Sequence, residues 1–525
     1  MNDADVIIIG AGHNSLAAGM VLSKAGLKVL VLEKASIPGG ASKSAEITKP
    51  GFIHDLYATN VGLFMGSELY ANYGEELHKN GFEVINHDKP YSNVFPDGDG
   101  LAIYRDADKT DQQIRRHSEH DAEAWKELIA YFNKTAPLFL PLMQKTLPSG
   151  DAAKQALKLV QSLKMKGAFD LAQLTLKSPR EFTESWFENK KVQSLFIPWG
   201  FHLDYGPDVS GGATFAFVEA PSDYQNGMPI VKGGISNLIN AMVKSIEDNG
   251  GLVLTDHDVK EIIVKNGRAV GVELMDGKQL SAKKAVLANV TPTQLVTRLV
   301  AKEHLPSQFV QKAKEYRYGP GTMMIHLALN EPLKWNAGED FSNFTYVHIG
   351  PYVKEISETY TDAINGVLPS SPMLVIGQQT ASDPSRAPEG KHTLWVQVRA
   401  LPFEPTADRD GKIRPGKWAD MKEAYAERVI DKIEEYAPNI KQSILSHTVL
   451  SPEDLMNDNM NLWKGDSVSG SHHINQNYVF RPFFGASKYD TPIKGLYISG
   501  ASTWPGGGMN ATSGYLAAKR ILAQK

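Results

Sequence analysis

Gly10, Gly12 and Ser15 lie at the spacing that lets a backbone fold around a pyrophosphate, and Glu33 follows at the offset from which a carboxylate accepts hydrogen bonds from a ribose. Gly10 admits the turn, Gly12 admits the phosphates, and the small Ser15 stands where a third glycine would keep helix against strand. A carboxylate at residue 33 also repels a 2′-phosphate. Near the other end, Gly506-Gly507-Gly508-Met509-Asn510 lets backbone lie against a flat ring before a helix opens with Asn510 as its N-cap. Two-electron reduction of an isoalloxazine gathers negative charge near N1 and the C2 carbonyl, which a helix N-terminus stabilises. Together the two segments point to FAD held between the ends of the chain.

These residues need a strand–turn–helix–strand frame, and the sequence supplies one. Val6-Ile7-Ile8-Ile9 leads into the first loop, a helix follows with Ala17, Ala18 and Gly19 keeping one face narrow, and Gly26 closes it before the strand Lys28 to Leu32. A second glycine turn, Pro38-Gly39-Gly40-Ala41-Ser42, comes next. Helical patterning dominates from about 110 to 190, clearest over 121–132 and 152–165. Gly233-Gly234 opens another helix, which runs to about Glu247. A β-rich stretch follows, with a hairpin over 259–275 and a strand over 285–289 that reads as parallel and ends at a ligand crevice.

At 525 residues, with 42% apolar and 22% charged side chains, the chain can build two or more domains with cores of their own. A net charge of −4 carries no nucleic-acid signature, so no such partner is expected. The absence of cysteine excludes disulfides, thiolate metal sites, iron–sulfur clusters, cysteine nucleophiles and a cysteinyl flavin link. No signal peptide is read at the acidic N-terminus, and no stretch approaches the roughly 20 apolar residues of a spanning helix. A cytoplasmic location is therefore expected. Peripheral membrane contact stays open, because Ala153, Ala156, Leu157, Val160 and Leu163 fall at helical spacing among Lys154, Lys158, Lys164 and Lys166.

The first loop, Gly39-Gly40-Ala41, the Gly233-Gly234 helix start, the 259–292 module, and Leu496-Tyr497-Ile498-Ser499-Gly500 with Pro505-Gly506-Gly507-Gly508 together resemble the FAD-dependent phytoene desaturase-like family. That family includes bacterial carotenoid desaturases, a carotene ketolase branch and pyridine nucleotide-disulfide oxidoreductase domain-containing relatives. Gly10-Ala11-Gly12-His13-Asn14 is most similar to the latter two branches, as are Ser178-Pro179-Arg180-Glu181-Phe182 with Trp186-Phe187, and Arg481-Pro482 after His472-His473. The resemblance spans nearly the whole length. It implies an α/β fold, a Rossmann-like FAD-binding domain of the glutathione reductase type with an inserted mixed α+β substrate domain. Residues 1–88, 225–300 and 486–525 would form the first, and 89–224 with 301–485 the second, helical in part and membrane-facing there.

Carried over position by position, the resemblance implies that Gly10, Gly12, His13, Asn14, Ser15, Glu33 and Lys34 meet the pyrophosphate and ribose. Gly39, Gly40, Ala41 and Ser42 would lie beside the phosphates and flavin, with Val259 turned to the adenine and Asn289 in the same set. Gly500, Ala501, Gly507, Gly508 and Met509 would line the other side. The continuation Met509-Asn510-Ala511-Thr512 departs from carotenoid desaturases, which carry a more apolar, glycine-containing stretch there. That departure loosens the carotenoid substrate and leaves the flavin assignment intact.

In this family the flavin accepts the hydride, so the protein supplies a pocket, orientation and sometimes one acid or base. The expected activity is oxidation or desaturation of a hydrophobic small molecule of the isoprenoid, carotenoid or other polyene kind, with oxygen or a quinone taking the electrons. His472, His473 and Tyr57 are the candidate catalytic groups, although adjacent histidines cannot both face one site from a regular strand. His117, His120 and Asp121 have helical spacing, but Arg115, Arg116, Glu119 and Glu123 around them read as a solvated face, and no metal is expected. No second dinucleotide fingerprint points to a separate NAD(P)H domain. Two other readings stay open: an amine oxidase-like enzyme, and a non-enzymatic escort of lipids or prenylated proteins, since the Rab GDP-dissociation inhibitor shares this architecture.

Overall fold

Asp3–Ile9 and Val29–Leu32 are rich in β-branched and leucine side chains buried on both faces, the pattern of parallel strands covered on either side. In the computed structural model, which describes residues 3–524, they form the middle of a seven-stranded sheet. Its order is Val259–Lys265, Arg268–Leu274, Gln279–Ala288, Asp3–Ile9, Val29–Leu32, Leu252–Leu254, with Leu496–Ile498 also paired to Gln279–Ala288. The 259–274 hairpin and its junction with Gln279–Ala288 are antiparallel, and the remaining pairs are parallel.

Register then decides where the ligand edge lies. Ile9 is opposite both Leu32 and Ala288, and Ala288 is opposite Ile498. The next residues, Gly10, Glu33, Asn289 and Ser499, therefore emerge together at one carboxyl edge, where open α/β sheets bind their ligands. Alternate side chains divide the sheet between two cores. Val6, Ile8, Val29, Val31 and Leu287 face the helices His13–Lys24, Ser236–Asp248 and Thr512–Ala523, whereas Ile7, Ile9, Leu30, Leu32 and Val286 face the opposite side. The helices approach closely through glycines. A Cβ on Gly19 would stand 2.7 Å from Ile246 Cδ1, and one on Gly514 only 1.7 Å from the Asn14 carbonyl oxygen.

A second seven-stranded sheet is ordered Ile444–Leu450, Gly321–Leu329, His392–Leu401, Leu374–Gly377, Tyr346–Ile349, Tyr91–Val94, Gly100–Ile103. It is antiparallel except where Tyr346–Ile349 meets Tyr91–Val94. Period two again sorts the side chains. Met323, Ile325, Val347 and Val396 pack with the helix Trp418–Tyr436, while Met324, Tyr346 and Trp395 share a core with the helices Glu119–Met143 and Ala213–Asn226. Between the sheets, fully buried Arg386 binds Asp55 at 2.6 Å, Asp383 at 3.1 Å and the Val231 carbonyl at 2.6 Å. Asp55 also accepts from Ile235 N and Thr59 Oγ1, so this buried ion cluster is well partnered.

The fold is the expected α/β one, with a Rossmann-like FAD-binding sheet and a mixed α+β part. Two helices extend beyond the clearest stretches of the helical pattern. The pattern over 121–132 belongs to Glu119–Met143, which continues through Pro137 and Pro141 because Ala136 and Phe139 are packed in the core. The pattern over 152–165 belongs to Gly150–Leu176, bent at Lys164. The glycine contact between the chain ends yields a stability test. Gly514→Ala should cost about 1–3 kcal/mol by overpacking, read as a lower denaturation midpoint, whereas Gly416→Ala, with nothing near its side-chain position, should not.

Candidate active site

The first helix begins at Gly12, whose lack of a side chain leaves the first-turn N–H groups without a side-chain cap. That is the arrangement a phosphate requires. Gly39 N donates to Ala11 O at 2.9 Å, which draws the second glycine turn alongside the first, and a Cβ on Gly40 would lie 3.2 Å from Gly12 Cα. Glu33 is fixed from behind by Ala11 N at 2.7 Å and Ala35 N at 2.9 Å. Its carboxylate stands on the wall of a large cavity with Gly10, Gly12, Lys34 and Val259. The Val259 carbonyl is held by Arg298 at 3.1 Å.

Behind the cradle a relay of hydrogen bonds joins four segments. Gly514 N donates to Asn14 Oδ1 at 3.2 Å, and Asn14 Nδ2 reaches His13 Nε2 at 2.9 Å. The His13 ring must then carry its proton on Nδ1, which meets Ser42 Oγ at 3.1 Å, and Ser42 donates to Met509 Sδ at 3.2 Å. Burial lowers the His13 pKa to about 4, so the ring stays neutral and keeps this direction. Asn289 adds a second tie. With its oxygen facing Ser15, it accepts from Ser15 Oγ at 2.8 Å and donates to Ser499 O at 3.2 Å.

Of the residues nominated for the cofactor, Gly10, Gly12, His13, Asn14, Glu33 and Lys34 line the cavity. So do Gly39, Gly40, Ala41, Ser42, Val259 and Asn289, and across from them Ala501, Gly508 and Met509. Ser15, Gly500 and Gly507 lie one layer behind. Ser15 serves Asn289, and Gly500 N donates to Ser513 Oγ at 3.0 Å. Asn510 is not the N-cap of the last helix. Ala511, in the left-handed region, takes that position, while Asn510 Oδ1 accepts from Thr512 N at 2.9 Å.

The structure also moves the two histidine candidates off the cavity wall. His472 is fully buried, and its Nε2 accepts from Gly507 N at 2.8 Å, so it props the glycine loop from outside. Burial and the nearby Arg481 guanidinium hold its pKa well below the ordinary histidine value. His473 points away, to Tyr360 OH at 3.1 Å and Asp204 O at 3.2 Å. Arg481 completes the support with bonds to Ala501 O at 2.7 Å, Ser471 O at 2.9 Å and Gly470 O at 3.2 Å. Among the described residues no carboxylate pairs with it, which leaves a cation behind the 501–508 loop.

Tyr57 does line the cavity, but its hydroxyl is committed to Asp458 Oδ2 at 2.8 Å, and burial beside that carboxylate raises its pKa. Asp458 also binds Lys43 at 2.7 Å. Beyond this triad the cavity continues into a chamber walled by Trp199, Leu203, Tyr346, Trp395 and Arg399. These residues, with Lys43 and Asp458, were not identified from sequence. The one signal that could have found any of them is alternation in His392–Leu401, which sets Trp395, Gln397 and Arg399 on one face.

These features fit FAD: uncapped helix N–H groups, a glycine cradle that any Cβ would narrow, the Glu33 carboxylate on the cavity wall and a glycine loop backed by positive charge. The family model for flavin-containing amine oxidoreductases matches residues 16–522. A component of the limonene dehydrogenase of Castellaniella defragrans is 27% identical, over 99% of this chain and 95% of that protein. A neurosporene-forming phytoene desaturase of Rhodobacter capsulatus is 28% identical, over 98% and 93%. Among solved structures, an oxidoreductase from Methanosarcina mazei superposes with a TM-score of 0.63 at 18% identity, over 99% of this chain and 100% of that one.

Two substitutions separate cradle from support. Gly12→Val, at a position where even a Cβ would come within 3.3 Å of the Asn289 side chain, should leave a folded protein that retains no FAD after desalting, read by flavin absorbance. His472→Ala should weaken FAD binding about tenfold, from the roughly 1–3 kcal/mol of an unmet buried N–H. It should not move the pH profile of flavin reduction, because a histidine held neutral does not titrate in the working range.

Proposed function

The chain belongs to the flavin-containing amine oxidoreductase family, and from that premise we propose that it oxidises or desaturates a hydrophobic small molecule of the isoprenoid or polyene kind. It is an FAD-dependent oxidoreductase. One observation carries the substrate reading: the cavity that begins at the phosphate cradle continues into a chamber walled by Trp199, Leu203, Tyr346 and Trp395. Limonene and phytoene, named for two relatives, are hydrocarbons that such walls would suit.

Gly10, Gly12, His13 and Asn14 would hold the pyrophosphate, Glu33 and Lys34 the ribose, and Val259 the adenine. Gly39 to Ser42, Ala501, Gly508 and Met509 would hold the flavin. Bound FAD supplies a hydride acceptor at N5. The protein's own part is to exclude water, set the substrate carbon against the ring, and leave the electrons to pass to oxygen or a quinone. We also assign residues 1–88, 225–300 and 486–525 to the FAD-binding domain, and 89–224 with 301–485 to the substrate domain. Each sheet draws all its strands from one of these sets, which supports the division.

Among the described residues no helix is long and apolar enough to cross a membrane. The helix Gly150–Leu176 nevertheless exposes Leu157, Met165, Phe169 and Leu176, each more than half open to solvent, beside exposed Lys154, Lys158 and Lys166. We read it as a contact for an anionic lipid surface, from which an apolar substrate would enter.

Anaerobic titration with limonene and with phytoene should bleach the flavin in at least one case, whereas a primary amine should not. Bleaching by amines alone would establish the amine oxidase reading instead. Protein that holds no flavin after FAD reconstitution would favour the escort. Separately, the protein should sediment with phosphatidylserine vesicles in a salt-sensitive manner, and the Met165→Glu, Phe169→Glu double variant should remain in the supernatant.

A further inference from the structure

The chamber contains a carboxyl pair that none of the features above employs. Glu219 and Asp223 lie one turn apart on the helix Ala213–Asn226, and Glu219 stands on the cavity wall with part of its surface open to the cavity. Asp223 is 3% exposed, and its Oδ2 has no hydrogen-bond partner. No lysine or arginine among the described residues forms an ion pair with either. The surroundings lack partners too: Trp395 Nε1, on the cavity wall and at least nine-tenths buried, is unsatisfied, and the buried Trp199 Nε1 has only the Tyr91 hydroxyl beside it. Buried polar groups in a native protein are normally paired, so this concentration points to a ligand or exchangeable protons in the chamber.

Each packed element presents groups that do not neutralise the pair. Tyr91 and Tyr346, from neighbouring strands, are phenols kept protonated by burial. His202 and His348 are held neutral by burial. Asn60 is the polar neighbour of Asp223. Arg399, a cation on the same wall, is engaged by Ser467 Oγ at 2.6 Å and by the Phe201 and His202 carbonyls, with Asp204 and Asp466 nearby. Burial therefore pushes both carboxyls above the ordinary range, and Glu219 drives Asp223 further still. The deeper Asp223 keeps its proton, and Glu219 takes the charge as pH rises through neutrality.

We propose that Glu219, on the cavity wall one helical turn from the buried Asp223, is the proton acceptor in substrate oxidation. This rests on the isoprenoid reading above. With FAD bound, one substrate C–H would leave as hydride with its electron pair, the proton on the adjacent carbon would pass to the Glu219 carboxylate, and the electron pair left behind by that proton would become the new π bond. Substrate loses one hydride and one proton, the flavin gains the hydride, and Glu219 becomes a carboxylic acid. The active form is the deprotonated one, so reduction speeds up with rising pH.

The test uses the flavin-loaded protein with Glu219→Gln and Glu219→Asp. Glu219→Gln should keep its FAD content and substrate affinity while anaerobic bleaching by limonene or phytoene slows about 100-fold or more, and the rising limb of the pH profile should vanish. Glu219→Asp should recover part of the rate. A pH-difference infrared spectrum should show a protonated carboxyl band that titrates above the ordinary carboxylate range in the wild type and is missing in Glu219→Gln. Undiminished bleaching by Glu219→Gln, or an unchanged infrared titration, would overturn the role alone. If neither isoprenoid bleaches the wild type, the substrate reading falls and takes the role with it.

Discussion

The site depends on one relay, from Gly514 through Asn14, His13 and Ser42 to Met509. It brings the last helix, the first helix, the second glycine turn and the 506–509 loop to a single point. Two physical conditions keep it intact. Residue 514 can carry no Cβ, because the Asn14 carbonyl occupies that space, and His13 must stay neutral so that one ring nitrogen accepts while the other donates. Burial secures the second condition, and packing of the two helices secures the first. The phosphate end and the flavin end are thereby fixed relative to each other by short polar contacts as well as by the sheet.

Neutrality recurs around the site as a consequence of the same burial. His472 accepts from Gly507 only because its Nε2 is unprotonated, and the low pKa that excludes it from proton transfer near neutrality is what makes it a dependable acceptor. Arg481 is the exception, a guanidinium on backbone carbonyls with no carboxylate partner among the described residues. Its charge stands directly behind the 501–508 loop, on the Ala501 carbonyl. A flavin bound against that loop would meet positive potential where reduction gathers negative charge.

The cradle was legible in the sequence because its chemistry is local. Gly10, Gly12 and Glu33 would act through backbone and one carboxylate, within about 25 residues that also contain the strands and helix positioning them. Tyr346, Trp395 and Glu219 meet only after a second sheet and a helix have been packed, so no window of sequence contains their relation. His472 illustrates the opposite error. An isolated polar pair invites a catalytic reading, whereas its real partner is a backbone N–H 35 residues on. The helix Glu119–Met143 runs beyond the clear pattern of 121–132 through Pro137 and Pro141, where tertiary packing overrides the local cost of proline. Asn510 was displaced from its cap by a left-handed Ala511, a backbone choice that composition does not reveal.

The two sheets leave different freedoms to evolution. In the first, parallel register forces Gly10, Glu33, Asn289 and Ser499 to one edge, and a shift of one residue would turn every buried side chain to the wrong face. In the second, the cavity-facing positions of His392–Leu401 alternate with residues that bury Leu394, Val396 and Val398 against Trp418–Tyr436. Trp395, Gln397 and Arg399 can therefore be exchanged with little effect on that core. A fold of this kind keeps its cofactor while changing its substrate. Substrate identity must accordingly be read from the chamber walls, with their aromatic rings and carboxyl pair, rather than from the glycine loops that hold the cofactor.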